Sequence, residues 1–243
     1  MEQLITNGFL YKLFYNILIG ITDLLPGASI ALAVIALTLL VKIILIPLTY
    51  RSIKSQIQQK KLQPLLSEIR KKYADDQKKQ SEAILQLYKD HKTNPFAGCF
   101  LIIIQIIVII PLYYVFLKLD IYPELLYGFI SAPEALNEMF LGVNLAQQSM
   151  VFAALAGLSQ FAQLYWSPAM KEEPVSSDEP PTAQEEMMKG MQKSMKYTMP
   201  IMITVVAYIV PAAVALYWIV SNLFTIAQEI NIRKKLEKNT ENA

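Results

Sequence analysis

Long apolar runs separated by short polar stretches dominate the chain, and their lengths predict an all-α architecture. The run from Ile30 to Leu48 is broken only by Thr38, Lys42 and Pro47 and is long enough to cross a bilayer. Phe96 to Leu117 forms a second run, interrupted by Gln105 and Pro111. Ser149 to Trp166 is a third and carries Ser159, Gln160 and Gln163. Tyr197 to Ala227 is too long for one crossing of a ~30 Å hydrocarbon layer. Pro211 near its centre predicts two helices joined by a tight turn at Val210-Pro211-Ala212-Ala213. Five spans follow, at 29–50, 95–118, 147–167, 197–211 and 212–228. The last two are short enough to need thinned bilayer or tilted neighbours.

Ahead of the first span, Leu10, Leu13, Phe14, Ile17, Leu18, Ile21 and Leu25 repeat at helical spacing, with Lys12, Asn16 and Asp23 on the other side. That one-sided pattern predicts a helix within 1–28 lying in the interface rather than crossing it. No compact basic start and small-residue cleavage site marks it as a secretory signal.

Charge sets the orientation. Arg51 to Lys92 holds 11 of the 22 Lys and Arg residues against 5 acidic ones, whereas Asp120 to Asn144 holds four acidic residues and no basic one. The positive-inside rule puts 51–94 in the cytoplasm and 119–146 outside. The 168–196 loop and the 229–243 tail then lie inside, and the amino terminus outside. Within 51–94, Leu65, Leu66, Ile69 and Tyr73 form one apolar stripe and Ile84, Leu87 and Tyr88 another. Asp75-Asp76 between them reads as a turn, so the segment is expected to fold as a helical hairpin. Its Lys60, Lys61, Arg70, Lys71, Lys72, Lys78 and Lys79 suit anionic lipid headgroups or ribosomal RNA, and equally suit a solvated face that fixes topology. Asn94-Pro95 reads as the cap and first residue of the next helix. Glu172 to Pro181 has the composition of a flexible linker, after which helix is expected to resume around Thr182–Ala183, with Met187, Met188, Met191, Met195 and Met199 leading into the fourth span.

Composition supports a membrane chain: 54% of residues are hydrophobic and mean hydropathy is +0.34. One cysteine, Cys99, and one histidine, His91, leave no material for a disulfide, a multi-cysteine or His-based metal centre, or a histidine triad within these 243 residues. No cofactor and no specific DNA binding are expected.

Lys42 is then the most informative residue. A cation near mid-bilayer costs at least ~2.5–3.5 kcal/mol on insertion scales. None of the five spans contains an acidic residue to neutralise it. Arg51 is nine residues away, or ~13 Å along a helix, further than a lysine stem easily snorkels. A hydrated concavity open to the cytoplasm is the preferred explanation. Thr38 lies one turn before Lys42 on the same face. Gln105, Ser159, Gln160, Gln163, Thr204, Ser221 and Asn222 supply polar groups from the other spans, though each alone is ordinarily a helix–helix hydrogen bond.

Several motifs in order carry a resemblance. They are Thr38-Leu-Leu-Val-Lys42-Ile-Ile-Leu-Ile-Pro47-Leu48, Leu62-Gln63-Pro64 with Tyr73, Leu87-Tyr88-Lys89, and Asn94-Pro95-Phe-Ala-Gly98-Cys99 with Gln105 and Pro111. Met199-Pro200 and Pro211-Ala-Ala-Val-Ala-Leu-Tyr217-Trp218-Ile-Val-Ser221-Asn222-Leu-Phe-Thr-Ile-Ala-Gln228 complete the set. The chain resembles the YidC/Oxa1/Alb3 family of membrane protein insertases, in its short bacterial form. The resemblance implies a five-span core with a hydrophilic groove open to cytoplasm and lipid and closed outside, working without ATP or metal. The family's groove arginine falls on Lys42, which keeps the charge but loses the guanidinium fork. Thr38, Tyr217 and Trp218 fall where family members line the substrate route. The implied partners are nascent and small membrane proteins, membrane lipids and, for some members, the ribosome, signal recognition machinery and Sec translocon. The implied location is the bacterial plasma membrane, with an assembly chaperone beside the translocon as the alternative role. Short-form relatives often begin with a lipoprotein-type cysteine; none occurs here, and the first helix is expected to serve as the external anchor. The tail, with Arg233, Lys234, Lys235 and Lys238, is too brief for extensive ribosome binding.

Overall fold

Residues 8–94, 97–117, 120–131, 133–167 and 183–241 are described by a computed structural model. The expected Pro95 boundary and the linker at 172–181 lie outside them, as do the side chains of Cys99, Met188 and Met191. Nine α-helices form among the described residues: α1 Phe9–Leu24, α2 Ile30–Ile44, α3 Ile46–Lys61, α4 Gln63–Lys72, α5 Gln77–Asp90, α6 Ala97–Leu117, α7 Met150–Trp166, α8 Ala183–Ile209 and α9 Ala212–Glu241. One two-stranded antiparallel ladder, β1 Met139–Phe140 with β2 Val143–Asn144, adds a minor departure from all-α. Its turn places Leu141 and Gly142 at φ 50° and 79°, the left-handed pair a tight hairpin requires.

The fold is organised around α9. It packs extensively on α7 and α2 and more lightly on α3, α6 and α8. α7 and α8 pair closely, while α6 leans on α3 and α1. Among the described residues, α6 shares no extensive contact with the α7–α8 pair, and α9 packs against both. The core runs through Leu37, Leu112, Val115, Phe116, Ala156, Ala207 and Ala212–Ala215, all essentially inaccessible. Facing outward are Ile103, Ile106, Ile107 and Ile110 on α6, Val151, Leu155 and Leu158 on α7, and Ile201, Val205 and Ile209 on α8. An apolar belt of this kind is rare on a soluble monomer and suits hydrocarbon.

Both helices flanking Pro211 extend beyond their apolar segments. α8 has 27 residues and starts at Ala183, where helix is expected to resume, and α9 has 30 and continues past the span end expected at 228. Polar residues alone do not stop a helix whose i→i−4 ladder stays intact. The two final helices therefore give no argument for a thinned bilayer. Among the described residues, α9 is the single helix that qualifies by length and hydropathy as a spanning one, over Ala212–Leu236. α2 and α3 qualify together, bent by 60° at Leu45. Pro47, in the first turn of α3, has no N–H to continue the ladder, so the straight segment expected at 29–50 is broken there.

The buried face of the first helix differs from the expected apolar stripe in taking in Asn16. That face is Tyr11, Phe14, Tyr15, Asn16, Leu18, Ile19 and Thr22, and Leu10 is exposed. α1 packs on α2 and α6. Asn16 faces inward because its amide serves the following loop. Nδ2 donates to the Leu125 carbonyl at 2.9 Å, and Oδ1 accepts from the Tyr127 N–H at 2.7 Å. The Tyr15 hydroxyl bridges the Asp120 carbonyl and the Tyr122 N–H. The loop in turn caps two helices. Asn137 O accepts from Ile30 N, while Leu145 O and Gln147 O accept from Ala213 N and Ala212 N, satisfying donors at the starts of α2 and α9.

At the other end, α3 to α5 form a basic helical lobe. α4 and α5 pack on each other through Leu66, and Ile53 and Leu62 bury beside it. Gln80 Nε2 reaches across to the Arg70 carbonyl at 3.1 Å. Asp76 caps α5 by accepting from the Lys79 N–H at 3.0 Å, and the same backbone N–H holds its carboxyl below the usual aspartate range. Asn94 O, accepting from Ser55 and Gln59, ties the lobe's end to α3.

The α7–α8 contact depends on Gly157. A Cβ there would overlap Thr204 Oγ1 and come within 3.1 Å of Pro200 O. Gly157→Ala is expected to lower stability by about 1–3 kcal/mol. Adding Thr204→Ala, which removes the overlapping hydroxyl, should recover much of that loss in thermal unfolding of the detergent-solubilised protein.

Candidate functional site

Polar residues on α9 recur at Tyr217, Ser221, Thr225 and Glu229, four apart, and so stack along one face of the helix. Asn222 and Gln228 flank that seam. Each neighbouring helix meets it with its own polar group. From α6, Gln105 Nε2 donates to the Tyr217 hydroxyl. From α2, Lys42 Nζ donates to Thr225 Oγ1 at 3.1 Å, and the Thr225 hydroxyl donates to Ser221 O at 2.8 Å. From α7, Ser159 accepts from Asn222 Nδ2 at 3.1 Å, and Ser167 donates to Glu229 Oε1 at 3.4 Å. Gln163 and Arg233 also face the Glu229 carboxylate.

The expected residues do not all converge. Thr38 is buried next to the seam's helix, but its hydroxyl returns to its own backbone, at Val34 O. Gln160 donates to Gln163 along α7. Thr204 donates to Pro200 O and abuts Gly157, which makes it a helix-packing position and not part of the seam. Trp218 is half-buried against the core, whereas Tyr217 is 1% exposed. Ser221 and Asn222 are buried in the α9 interfaces.

The basic residues are distributed over the lobe. Lys60 and Lys61 end α3, Arg70, Lys71 and Lys72 end α4, and Lys78 and Lys79 begin α5. Lys79 pairs with Asp76 at 3.1 Å, and Lys72 lies over the Tyr73 ring. Lys61, Lys72, Lys78 and Lys79 are exposed.

The expected spans hold no acidic residue, but Glu229, one residue past the end expected for the fifth, lies on α9 one turn beyond the Thr225 hydroxyl that Lys42 meets, close enough to influence its charge. Glu229 was missed because the fifth span was ended one residue before it. The four-residue repeat from Tyr217 through Ser221 and Thr225 was the available signal. Lys42 is half-buried and its amine meets a hydroxyl rather than hydrocarbon. Among the described residues no three His, Cys, Asp or Glu side chains assemble as a metal-binding group.

Comparison with known proteins agrees in extent with this architecture. A model of the 60Kd inner membrane protein family matches residues 21–239. A membrane protein insertase YidC of Fusobacterium nucleatum is 32% identical over 93% of this chain and 96% of its own length. The chain belongs to the YidC/Oxa1/Alb3 family of membrane insertases. A second member, the insertase YidC of Oceanobacillus iheyensis, is 32% identical over 84% of this chain and 75% of its own. The insertase YidC of Neisseria gonorrhoeae is 33% identical over 85% of this chain, which spans only 33% of that relative's length. Membership makes this chain a helical protein of the plasma membrane.

Tyr217→Phe removes the hydroxyl that Gln105 uses. Because Gln105 is itself half-buried, stability is expected to fall by about 0.5–1.5 kcal/mol in detergent unfolding, and Gln105→Leu added to it should cost little more.

Proposed function

We propose that this protein is a membrane protein insertase. It lowers the desolvation barrier for apolar segments and short polar tails entering the bilayer, through a hydrated groove open to the cytoplasm and to lipid. α9 forms the floor of that groove, with α6 on one side and the α7–α8 pair on the other. No covalent step, ATP or metal is involved. Five membrane spans carry the groove, with the amino terminus outside and the carboxyl terminus in the cytoplasm. The clients are nascent and small membrane proteins. The basic α3–α5 lobe faces anionic headgroups, the ribosome, signal recognition machinery or the translocon.

The observation that carries this reading is the polar seam itself. Lys42, Thr225, Gln105 and Tyr217 lie on helices whose outer faces are apolar, and α9 packs against both α6 and the α7–α8 pair, which share no extensive contact of their own. A polar surface there offers a passing peptide hydrogen bonds that hydrocarbon cannot. The cation favours acidic or polar tails where the dielectric is low. Capping of α2 and α9 by the 133–147 segment supports closure on the outer side.

Purified protein in sealed liposomes should protect the translocated end of a small acidic-tailed client from external protease. Yield equal to that of empty liposomes would leave only a chaperone that shields helices beside the translocon. Lys42→Ala is expected to reduce insertion of such clients about tenfold, the scale of one charge-assisted hydrogen bond, and Lys42→Arg to restore it. With Cys99 removed, cysteine at position 105 should react with a soluble maleimide; reactivity no greater than that of a core position would refute a wet groove.

A further inference from the structure

Glu229 is unusual for a carboxylate beside the spanning part of a helix. It is only 5% exposed. Oε1 accepts a long hydrogen bond from Ser167, and Oε2 is buried without a hydrogen-bonding partner. The neighbouring Gln228 Nε2 is likewise buried and unpartnered. A carboxylate oxygen in that condition normally carries a large desolvation cost. The charged groups that act on it are Arg233, on its own helix, and Lys42, on α2. Glu229 lies one turn beyond Thr225 on the same face of α9, so the Lys42 amine sits on the hydroxyl immediately before it.

An ammonium has three donors, and Thr225 occupies one. The others face a site where a client's acidic group would come, if the insertase reading above holds, on which this inference rests. A fixed carboxylate nearby competes for that cation. We infer that Glu229 is the resting counter-ion of Lys42 and stands in for a client carboxylate, so that it sets how strongly the groove selects acidic over neutral tails. Displacing it requires a client group that interacts with Lys42 better than Glu229 does from its buried position. Clients without such a group leave the pair intact and gain nothing from the cation. Glu229 is thus a specificity-determining residue acting through Lys42.

Two clients that differ only in tail residues, Asp and Glu against Asn and Gln, provide the test in reconstituted liposomes. Glu229→Gln should raise the acidic-to-neutral insertion ratio by about fivefold, in line with loss of one competing charge. In a Lys42→Ala background the same substitution should leave the ratio unchanged. A Glu229→Gln ratio equal to wild type, or a shift that persists without Lys42, would overturn the proposal. Should Glu229→Gln fail to fold, Glu229→Asp withdraws the charge by one methylene and should move the ratio in the same direction by a smaller factor. An unmoved ratio in that variant would refute the inference equally. Binding of fluorescent acidic and neutral tail peptides to the solubilised protein reads the same preference without insertion. Wild-type protein that inserts neither client removes the insertase reading, whereas peptide selectivity that follows Glu229 and Lys42 retains the counter-ion role.

Discussion

A polar side chain on an apolar helix must find its partner within the protein, and that requirement shapes α9 from end to end. Tyr217, Asn222, Thr225 and Glu229 each meet a group from a different place on the surrounding helices. The same contacts that satisfy these side chains fix how α2, α6 and α7 sit around the helix. Hydrogen bonds between helices in lipid are individually modest, ~0.6–2 kcal/mol. Their directionality does more than their strength, because apolar packing alone permits sliding that a stack of paired groups does not.

The opposite division of labour holds where the 133–147 segment meets the starts of α2 and α9. There the backbone supplies most of the bonding, with Asn137, Leu145 and Gln147 capping the starts of α2 and α9. Asn16 and Tyr15 hold the connecting segment in place from α1. A loop can close a bundle only if its own amides are satisfied. α1 meets that condition with two side chains, Tyr15 and Asn16.

What could be read from the sequence divides along physical lines. Pro211 separates α8 from α9 because a missing N–H and a fixed φ act locally. The turn at Asp75-Asp76 and the apolar stripes of α4 and α5 are also local signals, and the structure places Asp76 as a cap. Lys42 stood out because a charge in an apolar run has few explanations. The inward face of α1 was illegible because Asn16 is buried by partners more than a hundred residues away, at Leu125 and Tyr127. The end of α9 is hidden because composition changes at 228 while the hydrogen bonding does not, whereas the start of α8 at Ala183 follows directly on the Pro- and acid-rich segment. Ending the fifth span at 228 also concealed Glu229. Thr204 looked like the other polar residues in the spans, and only its contact with Gly157 distinguishes it.

The break after Leu45 lies three residues beyond Lys42, between a helix held in the core and a lobe that carries most of the exposed lysines. The 60° bend there turns the chain from a helix packed on α9 to one packed chiefly on α6. The ammonium and the lysines of the lobe are therefore held by different neighbours, and a substitution that disturbs one set leaves the register of the other in place.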